Sequence, residues 1–128
     1  MPLGNVTLFW RGEMASNMLL VEDEALIAMD IESDLSGLGL TVTLAETVAA
    51  ALEQLASAQF DLAILDYELH GLKTTAVADR LSELRVPFVV CSGSTMGDLG
   101  PSFAKAALIN KPFRTSELLA AVQSALSH

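Results

Sequence analysis

Three carboxylates, a hydroxyl and an ammonium stand at the ends of short apolar runs in this chain, and together those groups could handle a phosphoryl group. Glu22 and Asp23 follow Leu19-Leu20-Val21, and Asp66 follows Leu62-Ala63-Ile64-Leu65. Ser92 follows Phe88-Val89-Val90-Cys91, and Lys111 follows the run from Ala107 to Asn110. Four apolar residues in a row suggest a strand buried on both faces, as in a parallel sheet covered by helices. The carboxyl ends of such strands are where open α/β sheets bind their ligands. Three acids gathered at one edge repel, and one of them has its pKa raised unless a cation intervenes. Lys111 alone cannot balance them, but Lys111 with Mg2+ could, since this hard cation takes carboxylates, waters and phosphate oxygens. The Asp66 carboxylate could then attack a phosphoryl group and form an acyl phosphate. Metal and lysine would stabilise the charge on the equatorial oxygens during transfer.

The elements that must position these groups alternate from Asn17 onward. Met18 to Val21 reads as a strand, followed by Ile27, Ile31, Leu35 and Leu38 at helical spacing, with Gly37 and Gly39 closing the helix. Leu40 to Leu44 reads as a second strand, and Val48, Ala51, Leu52 and Leu55 mark a second helix that begins near Glu46 or Thr47. Leu62 to Leu65 is a third strand, Val77, Leu81 and Leu84 a third helix, and Pro87 to Cys91 a fourth strand. "SGSTMGDLGPSFAKAA" is interrupted by Gly93, Gly97, Gly100 and Pro101, which predicts only a short or irregular helix. Ala107 to Asn110 is a fifth strand. Thr115 is expected to cap a last helix whose inner face is Leu118, Leu119, Val122 and Leu126. Five βα units in a row predict an α/β fold with a doubly wound parallel sheet. Right-handed crossovers then leave every strand's carboxyl end on one edge.

Composition narrows the partners. The formal net charge is -9, and the seven Lys and Arg are scattered rather than clustered. That argues against nucleic acid or an anionic membrane, both of which need concentrated positive charge. No apolar run approaches the roughly 20 residues of a membrane span. The single cysteine, Cys91, lies in an apolar run and reads as a small buried hydrophobe; a reducing cytoplasm fits best. His70, in a loop, and His128, at the terminus, lack metal-ligand company and read as structural or neutral. Residues 1–16, "MPLGNVTLFWRGEMAS", do not make a secretory signal, because Arg11 and Glu13 follow a very short apolar patch. They are expected to be an N-terminal extension, a disordered tail or an expression artefact, before one domain over residues 17–128 with nothing after it.

"LLVEDEALIAMD", "LAILDYELHG", "PFVVCSG" and "NKPF" resemble the receiver domain of two-component response regulators, over Asn17 to His128 and in the family's order. The resemblance implies a flavodoxin-like, CheY-like sheet of five parallel strands in the order 2-1-3-4-5. It implies that Glu22 and Asp23 are the acidic pair for Mg2+, joined by Asp66 and the backbone carbonyl of Glu68. It further implies that Asp66 accepts phosphate from a histidine kinase or histidine phosphotransfer protein. Ser92 would be the switch hydroxyl, and Lys111 the signature lysine, joined to Pro112 by a cis peptide. Such a domain is a cytoplasmic switch rather than an enzyme, and it catalyses only its own phosphorylation and dephosphorylation. The sequence names no downstream partner and leaves a homodimer open.

"PFVVCSGS" also resembles a subgroup of stand-alone receivers with Pro-Phe-x-Phe-x-Thr-Gly-Tyr on strand four. Here Val90, Ser92 and Ser94 replace the second Phe, the Thr and the Tyr. Leu108 stands where many receivers carry a switch aromatic, and "LHGLK" holds no proline. The reading is a stand-alone response regulator whose change is read by a separate protein. The surface offered would be the loop after strand four, strand five and the last helix. The alternative is a phosphorylation-independent, receiver-like interaction module, which failure to bind Mg2+ would favour. A phosphohydrolase acting on an external substrate is disfavoured, since beyond Glu68 no second acid stands near Asp66 for proton transfer.

Overall fold

A computed structural model describes residues 9–10, 13–14, 16–93 and 99–126. The apolar runs form β1 (Asn17–Val21), β2 (Thr41–Ala45), β3 (Leu62–Asp66), β4 (Phe88–Ser92) and β5 (Ala107–Asn110). All five pair in parallel in the order β2-β1-β3-β4-β5, the doubly wound arrangement expected from the sequence. Their register is level: Val21 lies opposite both Ala45 and Leu65, Asp66 opposite Cys91, and Ser92 opposite Asn110. Level ends bring the residues that follow the strands to one edge.

Helices α1 (Ala25–Ser36), α2 (Val48–Ser57), α3 (Thr75–Glu83) and α4 (Thr115–Leu126) cover the two faces. Side chains alternate across each strand, so β1 sends Met18 and Leu20 to one core and Leu19 and Val21 to the other. The first core packs them with Ile31 and Leu35 of α1 and Leu118 and Val122 of α4. The second packs them with Ala51 and Leu55 of α2 and Val77 and Leu81 of α3. Burial on both sides is why the central strands read as unbroken apolar runs.

Local chemistry sets the helix ends. Thr47 caps α2, its Oγ1 accepting from the Ala50 N–H at 3.0 Å. At the end of α1 the chain turns through Gly39 at φ +86, a conformation that suits a residue without Cβ. Two expectations are corrected. The Thr115 hydroxyl does not close the first turn of α4 but donates to Asp34 Oδ2 on α1 at 2.7 Å. Thr115 is itself the first residue of α4, one past the capping position, and at that position the Arg114 N–H donates to Glu117 Oε1 at 3.1 Å. Leu84 follows α3 as its C-terminal flanking residue and is 39% exposed, while Ala78 completes the inner face.

Between β4 and β5 lies a 3-10 turn, Pro101–Phe103, entered through Gly100 at φ +99. Ser94 and Gly97, singled out in the sequence, lie outside the described residues, as does His128. So does most of the segment 1–16, within which Phe9–Trp10 pairs antiparallel with Glu13–Met14. Entry into β1 is pinned by Asp61, whose Oδ2 accepts from the Ser16 and Asn17 N–H groups at 3.0 Å each. Among the described residues, no helix is long and apolar enough to cross a membrane.

Candidate functional site

Each strand end delivers one part of the site. Past β1, the Glu22 N–H donates to Ala45 O at 3.1 Å, extending the ladder by a residue and carrying the side chain inward to 3% exposure. Its Oε2 accepts from the Glu24 N–H at 3.1 Å. Asp66 is the last residue of β3 and is 8% exposed. Past β5, the Lys111 N–H donates to Ser92 O at 2.9 Å, and the Lys111–Pro112 peptide is cis, as the resemblance implies. From there the Lys111 Nζ donates to Glu22 Oε1 and to Asp66 Oδ2, both at 2.9 Å, with Glu24 Oε1 at 3.9 Å.

Glu22, Asp23 and Asp66 each offer a carboxylate oxygen, and the three lie within 4.8 Å of one another. Asp23 is held from another direction: its Oδ2 accepts from the His70 N–H at 3.0 Å, with the imidazole Nδ1 at 3.4 Å. A cavity of about 270 Å³ opens beside this group, walled by Asp66, Glu68, Ser92 and Lys111 with Glu24, Tyr67 and Gly93. A larger cavity of about 720 Å³ lies at the opposite edge of the sheet, beside the ends of α2 and α3, and none of the strand-end residues lines it.

The charges do not balance. Three carboxylates face one ammonium, which leaves about two negative charges when all are ionised. Burial pushes the Glu22 carboxyl above its ordinary range, partly offset by its bond from Lys111. For Lys111 burial opposes the charge, but the hydrogen bonds to Glu22 and Asp66 outweigh it and hold the ammonium above its ordinary 10.5. Burial also works against the Asp23 charge, but the His70 N–H, its own backbone N–H, the nearby imidazole and the Glu22 side chain together outweigh it, leaving its carboxyl below the usual value. Cys91, beneath the site, is pushed up to about 12 by burial and stays a neutral core thiol. The donor set suits Mg2+: all three side chains are hard carboxylates, and a divalent cation cancels the residual charge.

The structure thus brings Glu22, Asp23, Asp66 and Lys111 together, with Ser92 and Glu68 in the wall of the same cavity. It adds three residues that sequence reasoning passed over. His70, read as structural or neutral, touches Asp23. Tyr67 sets its ring edge-on to Phe103, centroids 5.1 Å apart, under the Lys73 Nζ at 4.5 Å. Thr74, fully buried, donates its hydroxyl to Asp66 O at 2.6 Å and lies 3.0 Å from Tyr67 O. The missed signal was in "LHGLK". Glu68–Leu69 and Leu72–Lys73 pair as a tight antiparallel hairpin through His70 and Gly71, both at positive φ. A residue tolerant of positive φ followed by glycine between apolar neighbours is the mark of such a turn. Thr74→Val removes the buried donor to Asp66 O, and we expect a loss of about 1–2 kcal/mol in urea unfolding. An unchanged midpoint would show that the hydroxyl does not anchor the loop.

Known proteins can now be set beside this geometry. The family model described as "Response regulator receiver domain" matches residues 18–123. Among curated proteins, the chain is 36% identical over 124 residues to the phyllosphere-induced regulator PhyR of Methylorubrum extorquens, covering 89% of this chain and 45% of that protein. It is 30% identical over 112 residues to the transcriptional regulatory protein CutR of Streptomyces coelicolor, covering 84% of this chain and 52% of that protein. The chain therefore spans about half the length of these relatives. Among solved structures, SdrG from Sphingomonas melonis Fr1 superposes with a TM-score of 0.78 at 35% identity, covering 89% of this chain and 98% of that one. A CheY-like receiver domain protein from Methanospirillum hungatei, at TM-score 0.79 and 22% identity, covers 88% and 94% and attests the fold alone. Receiver domains bind Mg2+ at an acidic cluster and interact with histidine kinases or phosphotransfer proteins. With the family model spanning residues 18–123 and the sheet order matching, this chain belongs to the receiver domains of response regulators, the signalling switches of two-component systems.

Proposed function

We propose that Asp66 accepts a phosphoryl group from a phosphohistidine donor in a Mg2+-dependent reaction, and that a separate protein reads the resulting change. The observation that carries this reading is the Lys111 ammonium bonded at 2.9 Å to both Glu22 and Asp66, beside a cavity that Asp66 helps to line. Glu22, Asp23, Asp66 and the Glu68 carbonyl are the groups that would hold Mg2+, which when bound supplies positive charge to the phosphoryl oxygens.

Lys111 holds Asp66 Oδ2 and so fixes the plane of the carboxylate, leaving Oδ1 to attack. The Oδ1–phosphorus bond forms as the phosphorus–nitrogen bond of the donor breaks, and the departing imidazole keeps its electron pair and takes up a proton. Lys111 stabilises the charge on the equatorial oxygens, and the Ser92 hydroxyl donates a hydrogen bond to one of them. The product carries about two negative charges, to which Ser92 and the chain after β4 adjust. A net charge of -9 favours a protein as the reader over nucleic acid or an anionic membrane. The lone free cysteine suits the cytoplasm.

Intact-protein mass after incubation with acetyl phosphate tests the reading. We expect a gain of one phosphoryl group that requires Mg2+ and is removed by hydroxylamine. No gain, together with no heat of Mg2+ binding in calorimetry, would leave the phosphorylation-independent module.

A further inference from the structure

Deepening the proposed Mg2+ reading, and resting on it, the geometry points to the two-residue turn His70-Gly71 as the positioning element for Asp23, acting through the His70 backbone N–H rather than the imidazole. The hairpin follows the β3 end that carries Asp66, and its turn reaches back to the end of β1, 47 residues away in sequence, where the N–H meets Asp23 Oδ2 at 3.0 Å. The bond depends on turn geometry. His70 at φ +47 and Gly71 at φ +80 are the two central residues of a tight hairpin, the type I′ pattern of positive φ at both, and they join Glu68–Leu69 to Leu72–Lys73.

The hairpin is anchored through its first strand and at its base. Leu69 is 1% exposed in the core, Thr74 is fully buried, and the Thr74 N–H donates to Tyr67 O at 3.0 Å. Leu72, the cross-strand partner of Leu69, and the His70 side chain face outward, each 64% exposed. An exposed imidazole 3.4 Å from Asp23 contributes little that solvent cannot replace, whereas the N–H has one direction and the turn sets it. Asp23 is also the one carboxylate of the three that receives no bond from Lys111, so the turn supplies the restraint that Lys111 gives Glu22 and Asp66. Partners that orient a ligating carboxylate typically govern metal affinity by about 10–100-fold.

The turn can be strained without touching any neighbour, because a Cβ added at Gly71 meets nothing within 4 Å. A series of Gly71→Asn, Gly71→Ala and Gly71→Val raises the cost of positive φ stepwise, with Asn best tolerated and the β-branched Val worst. Mg2+ dissociation constants from calorimetry should leave Gly71→Asn near the parent and weaken through Ala to Val by about tenfold. His70→Asn, which keeps the N–H and tolerates positive φ, should bind Mg2+ within about twofold of the parent. Thermal unfolding in the absence of metal gives each variant's stability separately, and Gly71→Ala carries the comparison if Gly71→Val does not fold. Equal affinities across the series, or a loss in His70→Asn as large as in Gly71→Val, would overturn the role of the turn. A parent that shows no Mg2+ binding would overturn the metal reading itself, and this inference with it.

Discussion

Asp66→Asn is expected to abolish the acetyl-phosphate-dependent mass gain entirely and to weaken Mg2+ binding by at least about tenfold. The amide differs from the carboxylate by one group, which makes the comparison sharp. Asn offers a carbonyl oxygen that can still accept from the Lys111 Nζ, so the packing at the end of β3 persists. It offers no anionic oxygen to attack phosphorus, and it removes one of the three charges that attract a divalent cation. The remaining pair, Glu22 and Asp23, shares the edge with an ammonium that now answers chiefly to Glu22. Intact mass and calorimetry on the same sample separate the two losses. An equal mass gain on the variant would place the phosphoryl group on another residue and sink the assignment of Asp66.

Lys111→Met should cost about 3 kcal/mol of folding stability at neutral pH without Mg2+, measured by urea unfolding. The Lys111 side chain is 13% exposed and bridges two carboxylates that are themselves buried. Methionine fills the same channel but leaves Glu22 and Asp66 facing each other with no cation between them. The pH dependence follows from the direction of each shift. Lys111 titrates above its ordinary 10.5 in the folded protein, so its contribution is complete below that value and is lost as pH rises through the folded one. Glu22 already sits above its ordinary range, and without the ammonium it rises further, so the variant regains stability as pH falls and this carboxyl takes up a proton. The gap between parent and variant is therefore widest near neutrality and narrows on both sides. Equal unfolding midpoints at pH 7 without metal would mean that the ammonium does not compensate these acids.

The sheet was legible in the chain because its signals are local. Leu62 to Leu65 and Phe88 to Cys91 are unbroken apolar runs since both faces of their strands are buried, and burial on both faces is itself the signature of a covered parallel sheet. Helix periodicity placed Ile31, Leu35, Val77, Leu81, Leu118 and Val122 in the core for the same reason. Once the strands are known to run in parallel, the residue after each last apolar position must reach the same edge. Hence the convergence of Glu22, Asp23, Asp66, Ser92 and Lys111 could be read without coordinates.

Which of those groups pair was decided elsewhere. Lys111 reaches across 89 positions to Glu22 and 45 to Asp66, while Asp23, adjacent to Glu22, is taken by His70. That choice depends on strand order and on a register level to within a residue, and neither leaves a trace in the local pattern. Thr115 shows the same limit: expected to cap its helix, it is the first residue of α4 and its hydroxyl donates to Asp34 on a neighbouring helix. Apolar spacing thus determined the sheet, its covered faces and the edge where the chemistry gathers, because burial acts on every residue by itself. Only the tertiary structure decided the hydrogen-bond partners of the polar groups. Each donor or acceptor has several candidates in the chain, and the fold selects the one it brings within about 3 Å.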